Sequence, residues 1–243
     1  MYLLFSGEGP TDMGQSNVAQ TVCEGDDFLP GPMAWFVDQW VERKLCFSHI
    51  ENSLCGFIPK TQLVEQAKNG PGKSKKRMGL RGKKNPSHET QYYYNNARAM
   101  AQIARKLAED RHDTVVSVLF RDGDGTQSAG RGEWDAKWQS MLDGFAREKY
   151  ESGIPMIPKP KSEAWLLCAV GNNYQHCAAL EEESGNDKAQ NPLKAQLDEA
   201  LGEPASRELL AERVKSRAID IEQIVDMPSL NQFKERLDEV LDS

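Results

Sequence analysis

Acidic residues follow two apolar runs that lie far apart in the sequence. Glu8 and Asp12 follow a short run near the start of the chain, and Asp122 and Asp124 follow residues 115–120. Each run is typical of a buried strand, and the glycines beside the acids indicate tight turns. Ligands bind at the carboxyl edge of an open α/β sheet, so we expect these carboxylates to meet there. Carboxylates gathered at one edge repel one another unless a hard divalent cation lies between them. The pattern therefore predicts an Mg²⁺ or Mn²⁺ site.

Asp122 and Asp124, taken alone, fit three kinds of site. Residues two apart in an extended segment project to the same side, so both carboxylates could serve a phosphoryl-transfer metal site. The segment that begins at Asp122 also matches the DxDGT motif of haloacid-dehalogenase phosphatases, although that interpretation leaves Glu8 without a role. A calcium loop ending at Glu133 fits poorly, because Gln127 stands where such a loop needs glycine.

Strand-like and helix-like patterns alternate along the chain, which is typical of a mainly parallel sheet with crossover helices. The predicted strands are residues 2–6, 54–59, 115–120 and 154–157. The predicted helices are residues 34–46, 89–110 and 133–148, with a short helix from Glu163 that Ser162 would cap. Residues 13–32 are expected to form a loop, and the chain after Gly171 is expected to be helical and acidic.

Composition limits the class of protein. The chain has 243 residues, of which 28% are charged and 39% hydrophobic, ordinary values for a globular protein. No apolar run approaches the roughly 20 residues of a membrane helix, and no basic region precedes the first strand, so neither a membrane span nor a signal peptide is expected. The five cysteines are odd in number and form no CxxC pair, which argues against a disulfide framework or a cysteine-rich zinc site. We therefore expect a cytoplasmic protein.

One basic segment stands out in an acidic chain. Its cationic residues are Lys68, Lys73, Lys75, Lys76, Arg77, Arg81, Lys83 and Lys84. The segment carries +8 in a chain of net charge −7, which leaves −15 for the remainder. Its glycines, prolines and lysines cannot bury a core, so we expect a mobile loop. Such a loop is either a solvated tether or a site that captures nucleic-acid phosphates.

The two acidic motifs together resemble the Toprim fold, which topoisomerases, primases and OLD-type nucleases share. The form Gly-Glu-Gly-x-Thr-Asp at residues 7–12 is most similar to the OLD-like branch. The chain also resembles a group of small, standalone bacterial Toprim proteins that are often encoded beside an ATPase. In that group a Pro-x-x-x-x-Glu-Ala-Trp-Leu-Leu segment recurs, here at residues 158–167.

The resemblance implies a fold and a set of site residues. The fold would be an α/β Toprim-like domain at residues 1–170, with a basic insertion at about 23–88, and a helical subdomain at 171–243 packed on it. The implied ligands of one or two metal ions are Glu8, Asp12, Asp122, Asp124 and Glu163. The implied catalytic residues are Glu8, as general acid or base, and Lys159 or Lys161, as a cation at the scissile phosphate. The implied nucleic-acid contacts are Lys73, Lys75, Lys76, Arg77, Arg81, Lys83 and Lys84.

By this resemblance the chain is a metal-dependent endonuclease of the Toprim class that cleaves DNA or RNA with Mg²⁺ or Mn²⁺. It would act as the effector of a bacterial anti-phage system beside an ATPase partner protein, and the resemblance allows an oligomer. Two alternatives stay open. One is a magnesium phosphatase of the haloacid-dehalogenase type, with Asp122 as nucleophile and Asp124 as acid. The other is a non-catalytic regulatory or binding subunit of an ATPase complex.

Overall fold

Short apolar strands alternate with longer helices in the computed structural model, which describes residues 1–69, 87–123 and 133–243. The strands are β1 (Tyr2–Ser6), β2 (Gly14–Ser16), β3 (Cys23–Glu24), β4 (Phe28–Pro30), β5 (Cys55–Phe57), β6 (Val115–Phe120) and β7 (Gly153–Met156). The helices are α1 (Pro32–Leu45), α2 (Lys60–Asn69), α3 (Ser87–Arg111), α4 (Glu133–Arg147), α5 (Ser162–Val170), α6 (Leu193–Leu201), α7 (Arg207–Lys215) and α8 (Pro228–Leu241). The predicted α/β class is confirmed.

The main sheet has the order β3-β5-β1-β6-β7. Strand β1 runs parallel to both β5 and β6, and β7 runs parallel to β6, whereas β3 is antiparallel at the edge. Every residue of β1 and β6 is buried, as expected of central strands covered on both faces. The chain passes from β1 outward to β5 and then crosses back to β6, so the strand order reverses between β1 and β6. In doubly wound sheets the ligand crevice opens at that reversal.

The C-terminal helices share a core with the sheet and its crossover helices. Buried residues from both parts form one continuous hydrophobic cluster that includes Phe5, Leu197 and Phe233. Helix α1 packs on α7, and the Gln39 side-chain amide of α1 donates to the carbonyl oxygen of Ile219 at 3.0 Å. Residues 171–243 are therefore packed against the rest of the chain.

Several local expectations were wrong. Residues 13–32 are not a plain loop, because β2 and β4 pair antiparallel and β3 joins the main sheet. The strand predicted at residues 54–59 is β5, and it pairs directly with β1, so the region 23–88 contributes to the main sheet. Helix α2 was not expected, and it contains Lys68 of the basic segment. The other cations of that segment lie outside the described residues.

A disulfide joins Cys168 to Cys177, although the cysteine pattern argued against disulfides. The chain turns back after α5, with Asn173, Tyr174 and His176 in left-handed conformations, and this reversal brings the two cysteines together. Cys23, Cys46 and Cys55 are free thiols. In the ranges that the structure describes, no helix combines the length and the apolar character that crossing a bilayer requires.

Candidate carboxylate site at the sheet edge

The turn after β1 brings Glu8 and Asp12 to the carboxyl edge of the sheet. Gly7 permits this turn, because a Cβ atom there would lie 2.7 Å from the Cβ of the buried Met13. The backbone carbonyl of Asp12 accepts a hydrogen bond from the Met33 amide at 3.0 Å, at the start of α1. The position of Asp12 is thus fixed by the first crossover helix.

The turn after β6 is held by backbone contacts to the segment that follows β7. The Gly123 amide donates to the Pro158 carbonyl at 2.9 Å, and a Cβ on Gly123 would lie 2.6 Å from that oxygen. The Tyr93 hydroxyl donates to the Asp122 carbonyl at 2.9 Å, and the buried Lys137 ammonium donates to the Gly123 carbonyl at the same distance. Gly123 is therefore needed for a close backbone approach, and the Asp122 backbone is held on both sides.

Ser162, the first residue of α5, joins the two strand ends. Its hydroxyl donates to Asp12 Oδ1 at 2.5 Å, and its amide donates to Asp122 Oδ1 at 3.3 Å. The same hydroxyl lies 3.5 Å from Glu163 Oε2. Ser162 was expected to cap its own helix, but Lys161 holds the cap position without a side-chain bond. The serine instead brings together carboxylates from three separate segments.

Burial and mutual repulsion raise the pKa values of these carboxyl groups. Burial raises the pKa of Asp122 well above its usual range, and the charges of Asp12, Glu163 and Glu8 raise it further. Burial also raises the pKa of Asp12, although the hydrogen bond from Ser162 opposes the shift. The pKa of Glu163 is raised by burial and by the charge of Asp12. Ionisation of these carboxyl groups is therefore less favourable than it would be at an exposed position.

Glu8 lies on the outer side of the group beside two cations. Its Oε1 atom is 3.7 Å from Arg121 Nε and 3.9 Å from Lys60 Nζ, and the Tyr92 hydroxyl donates to it at 3.4 Å. About a third of the Glu8 side chain is exposed. These contacts give Glu8 a structural role as the counter-ion of a buried arginine.

Sequence reasoning assigned no role to Arg121, which is fully buried at the end of β6. Its Nη1 atom donates to the carbonyl of Phe120 at 2.6 Å, whereas Nε and Nη2 have no hydrogen-bond partner among the described residues. The guanidinium also lies 5.6 Å from the centre of the Tyr92 ring. A cation placed directly after an apolar strand is the signal that would have found it, because a buried arginine needs a carboxylate nearby.

The two predicted catalytic lysines lie after β7 and are held by acidic residues. Lys159 Nζ is 3.3 Å from Glu182 Oε1, and Lys161 Nζ is 2.7 Å from Asp187 Oδ1. Burial lowers the pKa of Lys161, but the bond to Asp187 and the charges of Glu163 and Asp122 give a net upward shift. Lys161 therefore stays charged beside the carboxylates.

Carboxylate oxygens that could bind a metal ion meet at this site. Glu8, Asp12, Asp122 and Glu163 lie together, whereas Asp124 lies outside the described residues. Within residues 1–69, 87–123 and 133–243, no three acidic, histidine or cysteine side chains are arranged to hold a metal ion. The group nevertheless offers only oxygen donors, and such donors are the ones that a hard divalent cation prefers.

Comparison with known proteins identifies no relative: no family model, curated protein or solved structure matches the chain.

Proposed function

We propose that this chain is a metal-dependent endonuclease of the Toprim class that hydrolyses phosphodiester bonds of DNA or RNA. The observation that carries the proposal is the meeting of Asp12, Asp122 and Glu163 around Ser162, beside Glu8, at the reversal of the strand order. A structural role alone does not account for this gathering, because burial and mutual repulsion oppose ionisation of these carboxyl groups and so cost stability at neutral pH.

Each residue has a proposed part in the reaction. Asp12, Asp122 and Glu163, with Asp124, would bind Mg²⁺ or Mn²⁺. A divalent ion bound there would lower the pKa of a water molecule and neutralise charge on the phosphate. Glu8, the partly exposed member of the group, would accept a proton from the attacking water.

Basic side chains would hold the substrate. Lys161, which stays protonated beside the carboxylates, would attract the scissile phosphate as a point charge, as would Lys159. The basic segment that contains Lys73 and Lys84 would capture the sugar-phosphate backbone without reading its sequence. A role in anti-phage defence, an ATPase partner and a cytoplasmic location are parts of the proposal that rest on the resemblance and the composition. A disulfide is uncommon in the cytosol, so the location needs a direct measurement.

The test is a cleavage assay with purified protein, Mg²⁺ or Mn²⁺, and plasmid DNA, single-stranded DNA and tRNA. We expect cleavage of at least one substrate, loss of that activity in EDTA, and its loss in the Glu8→Gln and Asp122→Asn variants. Asp143→Asn is a matched control, because this exposed residue of α4 bonds, among the residues that the structure describes, only to Gln139 of its own helix. Absence of cleavage by the protein, with and without a candidate ATPase, would count against the nuclease and favour a regulatory subunit.

The phosphatase alternative makes a different prediction. A haloacid-dehalogenase phosphatase would use Asp122 as nucleophile and would not need Glu8. Hydrolysis of p-nitrophenyl phosphate that survives Glu8→Gln but not Asp122→Asn would replace the nuclease assignment with the phosphatase.

A further inference from the structure

A small cavity adjoins the carboxylate site on the side of the C-terminal helices. Its volume is about 60 Å³, which gives room for roughly four water-sized groups. Its wall includes Asp12 and Glu163, together with Lys194 of α6 and Arg207 of α7. The space is suited to one tetrahedral oxyanion and is too small for a nucleoside.

Arg207, which lines this cavity, has a donor that no described residue uses. Its side chain is only 15% exposed. Two of its nitrogens donate to Glu208 Oε1, at 3.0 Å from Nε and 2.6 Å from Nη2. The third nitrogen, Nη1, is buried and has no hydrogen-bond partner among the described residues. A buried N–H of a charged group destabilises the fold when no acceptor is present, so an acceptor from outside the chain would be favoured here.

Lys194 adds a second positive charge at the rim. It is exposed and forms no ion pair within the described part of the chain. Arg207 likewise pairs with neither Asp12 nor Glu163, although all four residues line the same cavity. The cations are therefore not used to neutralise the carboxylates. Arg207 and Lys194 are therefore available to a negatively charged ligand that occupies the cavity next to the carboxylate site.

We propose that Arg207 and Lys194 bind the backbone phosphate next to the one that is cleaved. The inference rests on the proposed nuclease function and adds to it a substrate requirement, namely a polynucleotide with successive phosphates. A guanidinium suits this role, because its planar donors match two phosphate oxygens at once. The C-terminal helices would thus take part in substrate binding in addition to covering the core.

The test measures phosphate and nucleic-acid binding in EDTA, so that it does not depend on catalysis. The variants are Arg207→Gln and the matched control Arg213→Gln. Arg213 lies on the same helix and also has a buried nitrogen without a partner among the described residues, but it does not line the cavity. Inorganic phosphate at constant ionic strength should raise the melting temperature of the wild type and of Arg213→Gln, but not that of Arg207→Gln.

Nucleic-acid affinity provides the second arm of the test. Arg207→Gln should weaken binding of plasmid, single-stranded DNA or tRNA by about tenfold or more, and Arg213→Gln should leave it near the wild-type value. If Arg207→Gln is too unstable to measure, Arg207→Lys and Lys194→Gln replace it, and each should bind the nucleic acid more weakly. Wild-type affinity in both replacements would overturn the proposal.

The remaining outcomes separate the possible errors. Equal stabilisation of the wild type and Arg207→Gln by phosphate would refute the oxyanion site. Loss of the phosphate effect with unchanged nucleic-acid affinity would show that the cavity takes free phosphate only, which also overturns the backbone assignment. Failure of the nuclease proposal would instead appear as absent metal-dependent cleavage, a readout that the EDTA measurements do not use.

Discussion

Replacement of Asp122 by Asn should make the metal-free protein more stable. This direction is unusual, because most substitutions at partly buried positions destabilise a fold. The reason is that burial and the charges of Asp12, Glu163 and Glu8 oppose ionisation of Asp122. An asparagine removes the charge and keeps an oxygen that can accept the hydrogen bond from the Ser162 amide.

The size of the effect follows from the distances at Ser162. Asp12 Oδ1 is 2.5 Å from the serine hydroxyl, and Asp122 Oδ1 is 3.3 Å from the serine amide. Because those two serine atoms are about 3 Å apart, the carboxylate oxygens are separated by at most roughly 9 Å. Two unit charges about 8 Å apart repel by about 2 kcal/mol at an effective dielectric constant of ~20. For a chain of this size, that gain corresponds to a melting temperature higher by roughly 4–8 °C.

Added metal should reverse the order of stability. An ion at about 100 times its Kd stabilises the protein that binds it by about 2.7 kcal/mol, or roughly 5–11 °C. Mn²⁺ should therefore raise the melting temperature of the wild type and have little effect on Asp122→Asn. The stabilisation of the variant in EDTA should also fade at acidic pH. A carboxyl group whose pKa is raised in the folded state destabilises the fold at neutral pH. This cost shrinks as the pH falls below the raised pKa, and it is gone once the pH is below the ordinary pKa of the unfolded chain.

The assay is thermal unfolding of both proteins in EDTA and in Mn²⁺, at neutral and acidic pH, with Asp143→Asn as the control. The control carboxylate is exposed, and its removal should change the melting temperature little in any condition. An Asp122→Asn protein that is less stable than the wild type in EDTA would refute the reasoning on repulsion. A full Mn²⁺ response in the variant would remove Asp122 from the metal site.

Three further substitutions test other parts of the structure. Burial lowers the pKa of His49 to about 4. The unfolded chain therefore binds more protons than the folded protein between pH 4 and 6.5, and the free energy of unfolding falls as the pH drops through that window. This acid-induced loss should be smaller in His49→Leu by up to about 3 kcal/mol, as measured by urea titrations at several pH values. Gly123→Ala should lower the free energy of unfolding by about 1–3 kcal/mol in denaturant titrations, because the new methyl group would clash with the Pro158 carbonyl. A variant as stable as the wild type would contradict that contact. Ser162→Ala should cost about 1–3 kcal/mol in denaturant unfolding at neutral pH, because Asp12 Oδ1 would lose its donor while the hydrogen bond from Thr11 to Oδ2 remains. No loss of stability would mean that water replaces the hydroxyl.

Most of the secondary structure could be predicted from the sequence. Strands β1 and β6 are continuous apolar runs, and α3 and α4 have long amphipathic periods, so burial alone determines them. The short strands β2 and β4 were missed because glycine- and proline-rich segments also look like loops. Helix α2 was missed for a related reason: its single buried residue, Leu63, gives little periodicity, and the basic segment begins at its end.

The site was predictable in its location but not in its contacts. Parallel strands end at one edge, so the approach of Glu8 to Asp122 followed from the fold class. The contacts of Ser162 with Asp12 and Asp122 join side chains across long sequence separations, which no local pattern encodes. The Cys168–Cys177 bond could not be inferred either, because it depends on the course of the turn between the two cysteines.

The hydrogen bond from the Trp165 indole to the Ser229 hydroxyl, at 2.9 Å, has a consequence for the order of synthesis. The ribosome makes Glu8 and Asp12 long before Ser162, and it makes the partner of Trp165 later still. Domains fold as units while the chain emerges, so the contact between α5 and α8 can form only after Ser229 has been made. Helix α5, whose first residue Ser162 contacts both Asp12 and Asp122, therefore gains this anchor only when synthesis of the chain is nearly complete.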